Sequence, residues 1–468
     1  MASDSATHSP ATGQAFGSSG YRNYVLLALT FVYTLNFIDR ILIGVVAQPI
    51  LEEFQLKDWQ FGLLSGFGFA LMYTVAGIPI ARLAEHTNRV KIIAASVILW
   101  SAMTALCGVA GSFLALLVFR VGVGIGEAGC TPPANSIIAD YFPPRSRARA
   151  LAIYAMGVTL GSVLANLFGG PIAQAFSWRE AFLVLGIPGI LVGIIVLVTV
   201  KEPPRGYSDP VGTVRLQSLG IKDTLKLLGG KRTYWLNMIA ATLVAFVGYA
   251  VSNFQAAFFQ RAHEMSVAEV ATQVSVPLGL AATFGTFFAG FLTERLSKRF
   301  PNCVAWIPGI GLLASVPLYW IGFSSDSIGA ATLILGIAAF LHYSYLGAQY
   351  TICQGVADAR SRATAIAIML FIVNLFGYGL GPLTAGYLSD MFAGSALAAA
   401  NLSLDICKGT DAVLLQSVGA AGLELCRNAG AEGLREALKF ITLIFAVGGL
   451  FYLWVSRCMD KDMIARMD

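Results

Sequence analysis

The sequence predicts an all-α membrane protein with twelve transmembrane helices in two related halves of six. Three observations predict this fold: an apolar composition, twelve long apolar runs, and short motifs that recur in the same order. Of the 468 residues, 56% are hydrophobic and only 12% are charged, and the mean hydropathy is +0.71. A soluble domain carries roughly 25% charged residues, so most of this surface must face lipid.

The apolar runs give the number of spans. Crossing about 30 Å of hydrocarbon takes about 20 helical residues. The predicted spans are 24–47, 61–81, 91–110, 113–137, 150–173, 180–200, 234–257, 270–293, 303–322, 329–352, 363–388 and 437–458. A polar segment in the middle of the chain separates six spans from six.

Domain boundaries follow from these runs. The segment 1–23 lacks the basic stretch and adjoining apolar core of a secretory signal, so we expect a disordered cytoplasmic tail. The predicted domains are an N-terminal six-helix bundle at 24–200, a cytoplasmic middle loop at 201–233, a C-terminal six-helix bundle at 234–458 that includes an external loop at 389–436, and a cytoplasmic tail at 459–468.

The basic residues predict the orientation. With the amino terminus inside, 22 of the 31 Lys and Arg residues fall in inside segments. This bias predicts that both termini are cytoplasmic. We expect a monomer in the cell inner (plasma) membrane, with the lipid bilayer as its surroundings. No basic stripe interleaved with aromatic residues is present in the sequence, so no nucleic-acid partner is predicted.

Three motifs recur in the second half. Residues 144–153 (PRSRARALAI) return at 359–368 (ARSRATAIAI), an offset of 215. Residues 81–85 (ARLAE) return at 290–294 (GFLTE), and the tetrapeptide at 166–169 (NLFG) returns at 374–377. Two halves of the same topology predict a substrate site near the midplane, where the halves meet.

Four ionisable residues lie inside predicted spans: Asp39 and Arg40 in the first, and Arg120 and Glu127 in the fourth. Each costs about 2.5–3.5 kcal/mol to insert, which makes a functional role the default hypothesis. We predict that Asp39 and Glu127 couple transport to protons. Arg40 and Arg120 would pair with these acids or with an anionic substrate. The alternative is a purely structural set of salt bridges between the two helices.

Several polar residues are candidates for the substrate cavity. Adding the repeat offset to Glu127 leads to His342, which could handle protons or could be a neutral, hydrogen-bonded side chain. The remaining cavity candidates are Asn36, Asn253, Gln255 and Tyr345.

The turn after the second predicted span has a counterpart after the eighth. Glu85 and Arg89 lie in the first turn, and Glu294 and Arg295 lie in the second. Opposite charges on a short turn can latch and release neighbouring helix ends, so we predict a gating role. The alternative is that these charges serve only as topology signals.

The cysteines and the remaining motifs bound the chemistry. Cys407 and Cys426 fall in the external loop and could form a disulfide there or remain two free thiols. The glycine-rich stretch at 122–126 lies within a span and follows no strand, so it predicts close helix packing and no nucleotide site. We predict no metal site, no cofactor and no enzymatic activity.

The chain resembles the major facilitator superfamily over nearly its whole length, which implies two pseudo-symmetric six-helix bundles. Residues 81–91 resemble the superfamily's GxxxDRxGRR signature in degenerate form. Within the superfamily, residues 36–40 (NFIDR), 120–128 (RVGVGIGEA) and 202–206 (EPPRG) resemble the spinster family, as a bacterial member would. That resemblance implies transport of lysolipids or sphingoid lipids. It also implies functional roles for Asp39, Arg40, Arg120 and Glu127.

We therefore predict a secondary active, proton-coupled transporter of a lysolipid, sphingoid or related amphipathic anion, working by alternating access. Organic-anion symporters of the same superfamily also resemble this chain in their first and fourth helices, so sugar acids are the alternative substrates. A non-transporting membrane receptor or scaffold is the alternative from another class. The direction of transport, and the choice between symport and antiport, stay open.

Overall fold

A computed structural model describes residues 15–209, 220–358, 360–408 and 411–463. All regular secondary structure in these residues is helical. Four predicted segments therefore lie partly outside the described residues: the first 14 residues of the N-terminal tail, 210–219 of the middle loop, 359 and 409–410 of the C-terminal bundle with its external loop, and 464–468 of the C-terminal tail.

Within the described residues, twelve helices are long and apolar enough to cross a membrane, which confirms the predicted fold class. We call them spans 1 to 12 and use "outer end" for the end predicted to face outside. They are Ser19–Val45, Asp58–His86, Arg89–Cys107, Phe113–Tyr141, Pro144–Ala175, Trp178–Thr199, Arg232–Ala262, Val267–Ser297, Cys303–Ser324, Ile328–Val356, Arg362–Ala399 and Leu414–Asp462. Two short helices, Ala47–Glu53 and Ile221–Leu228, lie outside the spans.

Polar caps set where several spans begin. The Ser112 hydroxyl accepts the Ala115 N–H at 3.2 Å at the start of span 4. Ser327 does the same for Ala330 at the start of span 10. The Asn88 side chain accepts the backbone N–H of Lys91 at 2.9 Å. Such caps satisfy backbone donors that have no partner within the helix, and they allow spans to follow one another through short loops.

Span 1 begins earlier than the sequence predicts. Helix starts at Ser19, inside the predicted tail of residues 1–23. The Ser18 hydroxyl accepts the Tyr21 N–H at 3.3 Å, and the Tyr21 hydroxyl donates to the Thr199 carbonyl at 2.8 Å. A capped first turn anchored to span 6 therefore orders these residues.

The predicted external loop at 389–436 is also mostly helical. The helix Gly379–Ala399 ends span 11, and the helical segment Asp411–Thr442 is broken by a kink at Gly419, whose φ is 74°. Leu397, Cys426 and Ala429 are buried together in a small apolar core. This core stabilises the helical structure within the predicted loop. Cys407 and Cys426 are disulfide-bonded in this structure, with their Cα atoms 5.2 Å apart.

Residue contacts divide the chain into two compact units. Unit 1 takes its described residues from Met1–Ile41, Met72–Ala165 and Arg179–Leu216. Unit 2 takes them from Leu42–Leu71, Asn166–Trp178 and Gln217–Asp468. The units differ from the two predicted bundles, because the outer ends of spans 1, 2 and 5 pack with C-terminal residues.

Four short π-helical segments interrupt spans in the described part of the chain. They are Leu63–Phe67 in span 2, Ala165–Gly169 in span 5, Val270–Ser275 in span 8 and Val373–Tyr378 in span 11. We call them the π-turns. The second and fourth contain the NLFG repeat at 166–169 and 374–377, so this repeat marks a shared backbone feature.

Candidate functional site

Unit 1 contains the charged cluster predicted from spans 1 and 4. Asp39, Arg120 and Glu127 expose 2%, 0% and 1% of their surface, and Arg40 is largely buried. Two acids and two bases thus lie together inside one unit, where their formal charges balance. Burial of this kind is tolerated only when charges are paired and hydrogen-bonded.

Arg40 of span 1 and Glu127 of span 4 form an ion pair, the shortest contact between spans in this cluster. The Nε atom of Arg40 donates to Oε2 of Glu127 at 2.5 Å. The Arg40 guanidinium also lies over the ring of Tyr73, 4.6 Å from its centroid, and 5.3 Å from the centroid of Phe37. The aromatic faces stabilise the cation and orient it toward span 4.

Arg120 contacts span 1 through the backbone. Its Nη1 atom donates to the carbonyl of Asp39 at 3.3 Å. The carboxyl of Asp39 lies near Arg120, with Thr104 and Trp100 of span 3 as further neighbours. Buried Asn36 lies one helical turn before Arg40 and beside Glu127. The NFIDR motif therefore contributes three polar residues to one cluster.

Glycines bring the helices of this cluster close together. A β-carbon at Gly126 in span 4 would lie 2.7 Å from the backbone nitrogen of Trp100 in span 3. A β-carbon at Gly161 in span 5 would lie 2.6 Å from the Phe37 Cβ in span 1. Both positions accept only glycine without movement of a neighbour. The glycine-rich stretch of span 4 is thus a packing surface, as its composition predicts.

The predicted cavity residues of the second half lie in unit 2. Asn253 is buried and donates to the Tyr249 carbonyl at 2.8 Å, and Gln255 is partly buried. His342 is buried, with its Nδ1 atom 2.9 Å from the Tyr319 hydroxyl. The ring of Tyr345 lies 6.3 Å from that of His342. The hydrogen bond to Tyr319 agrees with the second interpretation of His342, a hydrogen-bonded side chain. The role of these residues in a substrate cavity stays a prediction.

The predicted gating residues fall into two groups. Glu85, Glu294 and Arg295 are exposed at the inner ends of spans 2 and 8, and their gating role stays a prediction. Arg89, in contrast, is 1% exposed and bonded within unit 1. Its Nη1 atom donates to Asp140 at 2.5 Å. Arg89 is therefore a buried link within unit 1 in this structure, and its gating role, like that of the other three residues, stays a prediction.

The EPPRG motif at 202–206 forms part of the buried environment of Arg89. Glu202 accepts from Arg89 Nε at 2.6 Å and from the backbone N–H of Val90 at 3.0 Å. Arg205 donates to the carbonyls of Ala84 and Thr87, at 2.7 and 2.9 Å, at the end of span 2. The motif therefore binds the inner ends of spans 2 and 3, a role that its sequence does not reveal.

A second charged cluster, the outer network, lies in unit 2. Arg261 of span 7 donates from Nη1 and Nη2 to both carboxylate oxygens of Asp58, at 2.8 and 2.7 Å. Its Nε atom donates to Gln48 at 2.7 Å. Ser389 donates to Asp58 at 2.6 Å, and Asp390 accepts the backbone N–H of Asp58 at 3.1 Å. The network joins the outer ends of spans 2, 7 and 11 to the helix Ala47–Glu53.

This network was not predicted from the sequence. Asp58 and Arg261 lie at the ends of spans, where charges are common and carry no signal of their own. The repeat pattern does not pair them either. Each lies among other charges beside an apolar run, since Lys57 directly precedes Asp58, so neither stands out in the sequence.

Comparison with known proteins identifies the family. The Major Facilitator Superfamily model matches residues 29–382. The chain belongs to this superfamily. It is similar to the crystal structure of a bacterial homologue of the human lysosomal transporter Spinster in an inward-facing, unoccupied conformation, with 46% identity, a TM-score of 0.88, and coverage of 96% of this chain and 100% of the other.

Sequence relatives agree with this placement. The chain is 33% identical to an MFS-type efflux pump of Mycolicibacterium smegmatis over 77% of this chain and 83% of the pump. It is 28% identical to protein spinster of Drosophila melanogaster over 94% of this chain and 77% of that protein. The resemblance to the spinster family is confirmed. The chain is a multi-pass transporter of the spinster type, and its family and fold indicate a transporter rather than an enzyme.

Two further relatives have names that state a substrate. The mouse sphingosine-1-phosphate transporter SPNS2 is 28% identical over 76% of this chain and 68% of that protein. The hexuronate transporter of Bacillus subtilis is 23% identical over 81% of this chain and 92% of that protein.

Proposed function

We propose that this spinster-type protein is a proton-coupled secondary transporter of an amphipathic lipid anion, such as a lysolipid or a sphingoid phosphate, and that it works by alternating access. The observation that carries the proposal is the buried Arg40–Glu127 ion pair, 2.5 Å long, with Asp39 and Arg120 in the same cluster. A cluster that can lose or gain one charge inside a span is well suited to couple a proton to an anion.

The pair supplies a direct coupling mechanism. While Glu127 is ionised, it holds Arg40 by a charge-assisted hydrogen bond. When Glu127 takes up a proton, that attraction is lost and the guanidinium can bind a phosphate or carboxylate on the substrate. Proton binding and anion binding then favour one another. Asp39 is the second proton acceptor in this scheme, and Arg120 keeps the cluster close to neutral.

A lipid substrate is supported by the environment of Arg40. Aromatic rings lie beside the guanidinium, so an acyl chain could follow apolar surface away from the charged end. The name of the sphingosine-1-phosphate transporter supports the same substrate class. A small sugar acid is the second candidate, favoured by the hexuronate relative and by the polar side chains of Asn36, Asn253, Gln255, His342 and Tyr345.

Reconstitution tests the substrate class. Purified protein in liposomes would be given a fluorescent lysolipid phosphate or a radiolabelled hexuronate, each with and without a pH gradient. We expect gradient-dependent movement of the lysolipid and little of the hexuronate. The opposite preference would establish the second candidate. No movement of either substrate, in either direction, would favour a receptor or scaffold.

We also propose an orientation in the membrane. Both termini face the cytoplasm of the inner membrane, and the disulfide between Cys407 and Cys426 lies on the oxidising side. Mass spectrometry of protein from membranes, alkylated before reduction, should show these two thiols protected. Alkylation of both cysteines in intact cells would contradict this orientation.

A further inference from the structure

The π-turns occur at equivalent places in the two halves. Leu63 and Val270, which begin the π-turns of spans 2 and 8, are 207 residues apart. Ala165 and Val373, which begin those of spans 5 and 11, are 208 residues apart. The NLFG repeat has the same 208-residue offset, from Asn166 to Asn374. Each half therefore carries the same pair of backbone irregularities. Such segments are rare, and they occur often at functional sites.

A proline follows three of the four π-turns. Pro171, Pro277 and Pro382 have no backbone N–H, so each leaves the carbonyl four residues earlier without its α-helical donor. Those carbonyls belong to Leu167, Gln273 and Tyr378, and each lies inside a π-turn. The fourth π-turn, in span 2, has no proline and instead lies among Gly62, Gly66 and Gly68.

Spans from the two halves touch beside these π-turns, at residues that belong to unit 2. A β-carbon at Gly66 in span 2 would lie 2.9 Å from the Gly379 carbonyl oxygen and 3.1 Å from that of Tyr378 in span 11. A β-carbon at Gly170 in span 5 would overlap the side chain of Ala271 in span 8. The repeat relates span 2 to span 8 and span 5 to span 11. It therefore also relates these two contacts to each other.

The contact pattern of spans 2 and 5 changes beside these segments. Residues up to Leu71 of span 2 belong to unit 2, and residues from Met72 belong to unit 1. In span 5 the change falls between Ala165 and Asn166, inside the π-turn. The outer end of each helix is therefore packed with different partners from the rest of the same helix.

We propose that the four π-turns are the bending points of an outer gate, at which the outer ends of spans 2, 5, 8 and 11 swing apart while the remainder of each helix keeps its packing. The inference deepens the proposed transport cycle and rests on alternating access. A π-turn suits this task because its wider turn already departs from the α-helical hydrogen-bond ladder. Bending there breaks fewer regular bonds than bending elsewhere.

Proline replacement tests the inference. In the double variant Pro171→Ala and Pro277→Ala, the restored N–H groups favour a straight α-helix through both segments. The matched control is Pro188→Ala, which replaces an exposed proline inside the regular helix of span 6. Spin labels would be placed at Phe176, directly after span 5, and at Glu264, in the connection between spans 7 and 8; both positions are exposed. The distance between the labels reports how far the outer end of span 5 lies from that of span 8.

We expect wild-type protein and Pro188→Ala to show a short and a long distance whose populations change with pH. In the double variant, the long-distance population should fall at least about tenfold. Unchanged populations in a folded double variant, or an equal loss in Pro188→Ala, would overturn the inference. Failure of wild-type protein to transport would count against the proposed function, whereas transport with unchanged distances in the double variant would count only against the bending points.

Hydrogen exchange on the wild-type protein provides a test without substitution. The amides of residues 166–169 and 270–275 should exchange faster than those of the helical turns on either side. Exchange as slow as in the flanking turns would overturn the inference even if the double variant does not fold.

Discussion

The Nε atom of Arg40 donates to Oε2 of Glu127 at 2.5 Å, so the base that directly follows Asp39 in span 1 is bound by an acid of span 4. The pair is buried and is flanked by aromatic rings. Because removal of either partner would leave a buried charge without compensation, the two residues should act as one unit in any transport assay.

Replacement of Arg40 by lysine separates charge from geometry. Lysine keeps the positive charge but lacks the planar guanidinium that bonds to Glu127 and stacks on Tyr73. We expect Arg40→Lys to reduce the initial rate of lysolipid movement at least about tenfold. Arg82→Lys, at an exposed position, should transport at the wild-type rate. An Arg40→Lys rate equal to that of the control would show that charge alone suffices.

Loss of Arg89 should affect stability. The Arg89→Ala change would leave Asp140 and Glu202 facing each other without the cation that joins them. Breaking a buried pair in this way costs about 3–5 kcal/mol. Thermal unfolding in detergent should therefore show a clearly lowered melting temperature for Arg89→Ala. The melting temperature of Lys91→Ala, at an exposed position, should be almost unchanged. Equal melting temperatures for the two variants would refute the structural role of Arg89.

The outer network should control opening on the outer side. Asp58→Asn removes one charge of the bidentate pair with Arg261, and hydrogen bonds between charged groups contribute about 1.5–3 kcal/mol. A cysteine at the fully buried position Ala257, one turn before Arg261, should then react with a water-soluble thiol reagent at least about tenfold faster. The exchanged pair Asp58→Arg with Arg261→Asp should slow the reaction again.

The control for this experiment is Glu180→Gln, which neutralises an exposed acid at the outer end of span 6, outside the network. It should leave the reactivity of the introduced cysteine unchanged. Equal reactivity of the introduced cysteine with and without Asp58→Asn would show that the network does not hold the outer side closed.

Acid pH should release the segment around Asp405. Lys408 and Lys57, at 2.5 and 3.1 Å, hold the pKa of this exposed carboxyl below its usual value. A lowered pKa means that the contacts stabilise the folded segment above the ordinary aspartate pKa, and that this stabilisation is lost as the pH falls through the lowered value. Hydrogen exchange at residues 403–408, corrected for intrinsic rates, should accelerate on acidification. The Asp405→Asn variant should not show this acceleration. An identical acceleration in the variant and the wild-type protein would mean that another group titrates.

The four buried charges could be predicted from the sequence, because a charge in an apolar run stands out at once. The bond between Glu127 and Arg40 could not be predicted, since the choice between Arg40 and Arg120 depends on how spans 1 and 4 are rotated. The outer network escaped notice because Asp58 and Arg261 lie at span ends, where charges are inexpensive. The early start of span 1 was missed because its first turn is held by Thr199, far along the chain.

Backbone detail was harder still to foresee. The NLFG repeat was evident, but its residue types do not distinguish an α-turn from a π-turn. That distinction depends on where the carbonyls before Pro171 and Pro382 find their donors. The helix at Asp411–Thr442 was hidden for a related reason, because its buried face is short and its composition is polar enough to suggest a loop.

Proton movement measured during substrate transport tests the central claim most directly. Liposomes containing a pH-sensitive dye and the wild-type protein should change internal pH when lysolipid is added. Liposomes containing Glu127→Gln or Asp39→Asn should not, and those with the exposed substitution Asp223→Asn should behave as wild type. A full pH response in both Glu127→Gln and Asp39→Asn would contradict the assignment of coupling to the buried cluster.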